Sequence, residues 1–354
     1  MSSARKSKTP PILRSTADFA RHIGLARTTV SRVLNGQPGL KQKTIDRVQR
    51  ALAETGFTPN AHAVHLRGKR TSMVGICMED LATPPAVRKL ATLQRVLRTR
   101  GFSSLIEVFT PGAGRDVVRH FLSLRVEAVV FIGHFLREEI EARIAELIAH
   151  GIPHVVIDHF GLRNANTVSL DRAAGMEALM THLLDAGHRT FGLLGITKGP
   201  TPATRIDRTV GIQAALRARG LDFGACAVSL DHLHERRKDF DYGWKLAESF
   251  MAQPARPTAF VGHNDEIAIG ALRGFQEAGL KFPRDASITG FNNQDICHMT
   301  SPTLTTVDQN IETTIATAAE VILSQLDRPP RAKPIVKTIE PQLVLGESTG
   351  PVRA

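Results

Sequence analysis

The chain has 354 residues, 42% of them hydrophobic, which calls for two or more globular units with ordinary cores. No run of about 20 apolar residues spans a membrane, the basic N-terminus lacks the apolar stretch of a secretory signal, and Cys77, Cys226 and Cys297 lie too far apart for a disulfide framework or a zinc site. A reduced, cytoplasmic protein without metal or cofactor is expected. The formal charge of +11 is unevenly placed: residues 1–72 carry 14 Lys/Arg against Asp18, Asp46 and Glu54, and the remainder carries 31 of each sign. A local basic block on a neutral body is the footprint of a polyanion-binding head. A solvated basic face explains residues 1–14 well and residues 21–50 poorly.

In chain order, residues 1–14 read as a disordered basic arm. Ser15 is a candidate N-cap for a helix over 16–22, and a second helix follows over 26–34. Ala20, Ile23, Val30 and Leu34 form an apolar seam between the two, with Gly24 at the tight turn, so the spacing is that of a helix-turn-helix. Residues 35–39 break the chain. A third helix over 43–55 carries Ile45, Val48 and Leu52 on one face and stops at Gly56. Residues 59–66 suit a further short helix, and 68–71 a linker.

From residue 72 the rhythm changes to short apolar runs alternating with amphipathic stretches. Strands are expected at 73–78, 105–108, 128–132 and 154–158, with helices at 87–100, 116–124 and 138–150 between them. A second series begins near Asp171, with strands at 191–194, 225–230, 258–262 and 287–290 and helices at 173–186, 205–219, 242–252 and 266–278. Such alternation argues for parallel sheets covered on both faces. The fold class is therefore an all-α helix-turn-helix head joined to an α/β body of two doubly wound lobes, whose ligands bind at the carboxyl ends of the strands.

These residues resemble the LacI/GalR-type bacterial transcription regulators over nearly the whole chain after the arm. The match rests on Thr28-Thr-Val-Ser-Arg-Val-Leu-Asn-Gly-x-Pro38, on Thr44 and on Gly56-Phe-x-Pro-Asn60. In the body it rests on Asp185-Ala-Gly-His-Arg189, Asn264-Asp265 with Ala268-x-Gly-Ala271, Gly279-Leu-x-x-Pro283, Ser301-Pro-x-Leu-Thr-Thr-Val307 and Glu347-Ser-Thr349. The resemblance implies a homodimer that binds a palindromic double-stranded DNA operator. Its periplasmic-binding-protein-like body would hold a small effector, a sugar or sugar acid, between two lobes. It divides the chain into a helix-turn-helix domain at 15–58, a hinge helix and linker at 59–71, and an effector and dimerisation domain at 72–348. Within the last, the N-lobe takes about 72–170 plus 309–328, and the C-lobe about 171–308 plus 329–348. No leucine heptads follow, so a dimer is expected and not a tail-built tetramer.

By that resemblance the second helix enters the major groove. Arg27 and Thr28 take the main specificity positions, and Arg27 can grip guanine O6/N7 with two hydrogen bonds. Arg32 is the other base-reading candidate, while Ser15, Thr29, Ser31, Asn35 and Thr44 suit phosphates. Asn60 falls in the hinge, and Leu66 at the position of a minor-groove wedge; a lone leucine would otherwise read as core. The hinge departs from the family in Val64, where Arg or Gln is usual, and in His62, which replaces an aliphatic residue.

In the body, the family's ligand-gripping arginine falls on Arg208, in Arg-x-x-Gly211, and Asn264 lies on a strand-to-helix turn. Asp80 and Asp158 end their strands, where a ligand contact and a satisfied surface polar group are alternatives. For His159 the alternatives are ring stacking on the ligand and simple packing. Asn292, in Gly290-Phe-Asn-Asn293, stands where the family has Asp, so it can face a carbonyl or an anionic oxygen that a carboxylate would repel. Pro84-Pro85 replaces the aromatic residues common after the first strand, which removes a stacking platform and implies a more polar or differently shaped site. No dinucleotide, Walker or nucleophile-elbow signature supports an enzyme, and Asp231-His-Leu-His-Glu235 reads as a polar loop. A ligand-insensitive architectural DNA-binding protein and a solute-binding protein are the remaining alternatives.

Overall fold

The head is built by the expected helices: α1 (Thr16–His22), α2 (Arg27–Leu34) and α3 (Gln42–Thr55). The structure, a computed structural model, describes residues 13, 15–34, 37–57, 70–109, 116–196, 203–230, 239–254, 256–326 and 333–353. The chain divides into two units, Met1–Thr71 and Ser72–Ala354. Apart from Leu13, which packs against the head core, the expected arm lies outside the described residues, as do the hinge helix with Asn60 and Leu66, Asn35, and the polar loop at 231–235.

Ser15 caps α1 as anticipated: its Oγ accepts from the Asp18 N–H at 3.1 Å and donates to Asp18 Oδ2 at 2.7 Å. Gly24 turns the chain toward α2 at φ +65, a conformation that strains any residue with a Cβ. Ala20, Ile23 and Val30 are buried, but Leu34 is only half-buried. The centre of this small core is instead an aromatic pair, Phe19 and Phe57, stacked with ring centroids 4.7 Å apart. Fully burying one such ring stabilises by roughly 1.5–3 kcal/mol. Arg47 reaches back from α3 to the Ile23 carbonyl at 2.5 Å and ties the third helix to the turn.

The N-lobe of the body is a six-stranded, all-parallel sheet. Its strands are β1 (Met73–Met78), β2 (Ser103–Val108), β3 (Ala128–Ile132), β4 (His154–Ile157), β5 (Thr167–Leu170) and β11 (Val336–Ile339), in the order β11-β5-β4-β3-β1-β2. Alternation sorts the strand side chains between two apolar layers. Val74, Ile76 and Met78 face α4 (Pro84–Thr99) and α12 (Ile311–Leu326), while Cys77, Val129 and Phe131 face α5 (Val117–Ser123) and α6 (Arg137–Ala149).

The C-lobe has a four-stranded parallel sheet, β7-β6-β8-β9, from β6 (Phe191–Leu194), β7 (Ala227–Ser229), β8 (Ala259–Gly262) and β9 (Ser287–Thr289). Helices α7 (Arg172–Asp185) and α8 (Ala203–Ala218) cover one face, with the one-turn α9 (Phe223–Cys226) leading into β7; α10 (Phe240–Met251) and α11 (Asp265–Glu277) cover the other. Strand β10 (Thr306–Asp308) pairs antiparallel with β12 (Gln342–Val344). Among the described residues the chain passes between lobes at 170–172, 308–311 and 339–342. These passages are tied together: Asp171 N–H donates to the Ile339 carbonyl at 2.9 Å, and Asn310 Nδ2 to the Glu340 carbonyl at 2.8 Å.

One expectation is corrected. Residues 336–339 do not belong to the C-lobe; they pair with β5, from Val336 opposite Thr167 to Ile339 opposite Leu170, as the edge of the N-lobe sheet. This edge strand buries little and carries Lys337 and Thr338, so no apolar run announces it. Among the described residues no helix is long and apolar enough to cross a membrane.

Candidate nucleic-acid interface and ligand cleft

On the head, Arg27 and Thr28 open α2 and are exposed, while Thr29 and Ser31 are half-buried. Arg32 is exposed too, but its Nη2 donates to the Pro38 carbonyl at 3.3 Å, which ties it to the loop before α3. Thr44 is half-buried in the first turn of α3. The first turns of α2 and α3 hold no acidic residue, so neither helix N-terminus has its positive partial charge cancelled by its own sequence. Exposed Arg and Thr on such a turn suit phosphate oxygens and base edges.

In the body, a cavity of about 230 Å³ opens where both sheets end. The N-lobe contributes Glu79 and Asp80 after β1, Pro85 and Lys89 from α4, His134 after β3 and Asp158 after β4. The C-lobe contributes Arg172, Arg208, His263, Asn264, Glu266 and Asn292, and the passage between lobes contributes Gln309. All the strand-derived members follow a carboxyl end, the position where α/β sheets bind ligands.

Asp158 is the floor of this cleft, and it is already engaged. Its Oδ1 accepts from Arg172 Nη2 at 2.8 Å and its Oδ2 from Lys89 Nζ. Burial alone would raise the Asp158 pKa, but the Lys89 and Arg172 charges overcome it and hold the carboxyl well below the usual carboxylate range. Burial pushes Lys89 down, as do the charges of Arg172 and Arg208, against the pull of Asp158. His134 is pushed down to about 3, by burial first and then by Arg172, so it is neutral at physiological pH. Two cations, Lys89 and Arg172, thus share one carboxylate, and Arg208 lines the same cavity. Sequence reasoning named Asp158 and missed Lys89 and Arg172, because a lysine inside an amphipathic helix and an arginine at a helix start read as solvent-facing.

Arg208 is buried over the Phe291 ring, with its guanidinium carbon 4.5 Å from the centroid. Gly211 explains its placement. A Cβ there would lie 2.1 Å from the Ala173 carbonyl oxygen, so only glycine lets α8 press against the start of α7 and bring Arg208 beside Arg172. Asn264 lines the cleft while its Oδ1 caps α11 by accepting from Ile267 N–H at 2.9 Å. Asn292 is buried, adopts φ +128, and its Oδ1 accepts from Gln309 Nε2. Asp80 is exposed at the rim, with Oδ1 accepting from Ala82 N–H at 2.9 Å.

His159 does not join the cleft lining. Its ring nitrogens lie 3.0 Å from the Phe135 carbonyl and 3.2 Å from that of Phe160, which favours packing over stacking on a ligand. Beneath Asn264, Asp265 is fully buried, accepting from Thr306 Oγ1 at 2.5 Å and Gln294 N–H at 2.9 Å. Burial pushes its pKa up to about 6, more than these hydrogen bonds pull it down.

Comparison with known proteins bears on the same two units. Residues 16–60 match the model of bacterial regulatory proteins of the lacI family, and residues 180–349 match the periplasmic binding protein-like domain. Over 342 residues the chain is 30% identical to the HTH-type transcriptional regulator MalR of Streptomyces coelicolor, spanning 94% of this chain and 96% of that protein. The chain belongs to the LacI family. It is a DNA-binding transcriptional regulator, with the head and two-lobed body that the resemblance implied. It is also 25% identical to the lactose operon repressor of Escherichia coli over 86% of its length and 83% of that protein's. In fold it is similar to the lac repressor dimer bound to operator and an anti-inducer, with a TM-score of 0.81 at 23% identity, covering 95% of this chain and 99% of that one.

Proposed function

We propose that this LacI-family regulator is a cytoplasmic, non-enzymatic repressor. It binds a palindromic operator as a homodimer, and a small effector held between its lobes sets its affinity for that operator. The cleft carries this reading: Asp158 and Lys89 from one lobe meet Arg172 and Arg208 from the other around a cavity of about 230 Å³. A ligand seated there touches both lobes and has a different affinity for each of their relative orientations. Such a difference is what a ligand needs to shift an equilibrium. The effector is a sugar, a sugar acid or a related hydroxylated metabolite, matching the hydroxyl- and anion-binding groups of the wall. The lac repressor structure that resembles this chain holds a small molecule and an operator at once, which supports the same division of labour.

In the head, Arg27 and Thr28 read bases in the major groove, with Arg32 as a second base contact. Ser15, Thr29, Ser31, Asn35 and Thr44 fix register on phosphates, and Asn60 and Leu66 act through the hinge, Leu66 as a minor-groove wedge. The test is selection from a random duplex library with the full chain, followed by Leu66→Ala. An inverted repeat whose bending weakens in the variant is expected. Selection of sequences without two-fold symmetry sinks the dimeric operator reading.

A further inference from the structure

We propose that the effector is a hydroxylated carboxylic acid, and that Arg172 is the residue that selects its carboxylate over the uncharged sugar. The inference rests on the cleft being the effector site and goes beyond it in naming the ligand's charge. Arg172 is 3% exposed and lines the cavity. Its Nη2 donates to Asp158, but its Nη1 has no partner among the described residues. A buried guanidinium nitrogen left without an acceptor is destabilising unless a ligand satisfies it.

The surrounding charge points the same way. Lys89, Arg172 and Arg208 act on one another closely enough that Arg172 and Arg208 both depress Lys89. Among the described residues, Asp158 is the one carboxylate in direct contact with Lys89 and Arg172. His134 beside them is neutral and adds no further positive charge. A single negative charge from the ligand therefore improves the balance of this end of the cavity.

The same cavity also carries the complementary deficit. Glu266 Oε2 and Gln309 Oε1 are buried acceptors without partners among the described residues, and both residues line the cavity. They suit ligand hydroxyls, which donate, and they repel an anion. Glu79 and Asp80 are occupied: Glu79 accepts from the His134 N–H at 2.6 Å and Asp80 from Ala82. An anionic end facing one orphaned donor and hydroxyls facing two orphaned acceptors describe an aldonic or uronic acid. A phosphate dianion fits less well, because Glu79, Asp80 and Glu266 also line the same small space.

The experiment is a thermal-shift and calorimetric comparison on the full chain. The probes are sodium gluconate, glucuronate and galacturonate, against glucose and galactose, with glucose 6-phosphate and sodium acetate as further arms. At least one hydroxylated acid should raise Tm by about 3–6 °C near saturation and bind at least tenfold more tightly than its parent sugar. Arg172→Gln should lower that acid's affinity on the order of 100-fold and bring the ratio of acid to sugar affinity close to one. Arg172→Lys keeps a cation beside Asp158 and guards against a folding failure; it should retain the preference for acid over sugar. Parity between acid and sugar, preference for the phosphate, or no binding by any of the three acids would overturn the proposal. Tight binding of a neutral sugar would do so while leaving the effector reading standing. Tight acid binding without any change in DNA affinity would instead contradict the proposed regulation.

Discussion

Replacing Asp158 with Asn should be among the most damaging conservative changes in the body. The carboxylate has 4% of its side chain exposed and holds two cations, Arg172 at 2.8 Å and Lys89 through the other oxygen. An amide of the same shape keeps one acceptor and removes the charge, so Lys89 and Arg172 are left buried and under-compensated next to Arg208. Breaking a buried ion pair by removing one partner typically costs 3–5 kcal/mol. The preserved acceptor puts this variant near the lower end, at about 3 kcal/mol at neutral pH. Part of the strain is relieved if Lys89 sheds its proton. Burial already holds its pKa below the ordinary lysine value, and loss of Asp158 lowers it further. The folded variant then binds fewer protons than the unfolded chain, so its stability rises with pH through that range. Urea denaturation, read by circular dichroism and by the single tryptophan, Trp244, gives the loss at about pH 6 and about pH 9. The loss should be larger at the lower pH. A loss below about 1 kcal/mol at both would mean that Asp158 does not offset a buried charge cluster.

Asp265 carries the opposite sign. Its folded pKa, about 6, lies above the ordinary value of 3.8, so its contribution is full below about pH 4 and fades as pH rises through 6. The stability of the protein relative to Asp265→Asn should therefore fall by roughly 3 kcal/mol between about pH 3.5 and 7, at 1.36 kcal/mol per pKa unit; a flat difference would refute the assignment. Phe57→Ala removes half of the Phe19 stack and should destabilise the head by about 3–5 kcal/mol. Operator binding would be lost while the melting of the body stays unchanged. Arg27→Ala should cost roughly 1–3 kcal/mol at one symmetric pair of operator positions, measured by anisotropy across single-base variants. Uniform weakening on every sequence would reassign Arg27 to a phosphate.

The head and the two parallel sheets were legible in the sequence because their signals are local. Helix caps, an apolar seam at helical spacing and short buried strands each announce themselves over a few residues. Less legible were the parts that depend on contacts between distant segments. Phe57 completes the head core from beyond the third helix, and β11 completes the N-lobe sheet from beyond both lobes' main series. The cleft divides in the same way. Arg208 and Asn264 follow from local motifs, and Gly211 turns out to be the reason for the first. Lys89 and Arg172 come from separate helices and are recognisable only once Asp158 lies between them. For His159 the sequence leaves stacking and packing open, and only the contacts of its ring with the distant Phe135 carbonyl and the adjacent Phe160 carbonyl favour packing.

In the proposed mechanism, occupancy of the cleft controls DNA binding. This control is tested most directly by titrating the selected operator with full-length protein, with and without a compound that stabilises the body, and repeating the titration with Arg208→Ala. The compound should change operator affinity by tenfold or more, about 1.4 kcal/mol of coupling, and Arg208→Ala should abolish this change while binding the bare operator as before. Operator affinity that is identical with the cleft empty and saturated would contradict it.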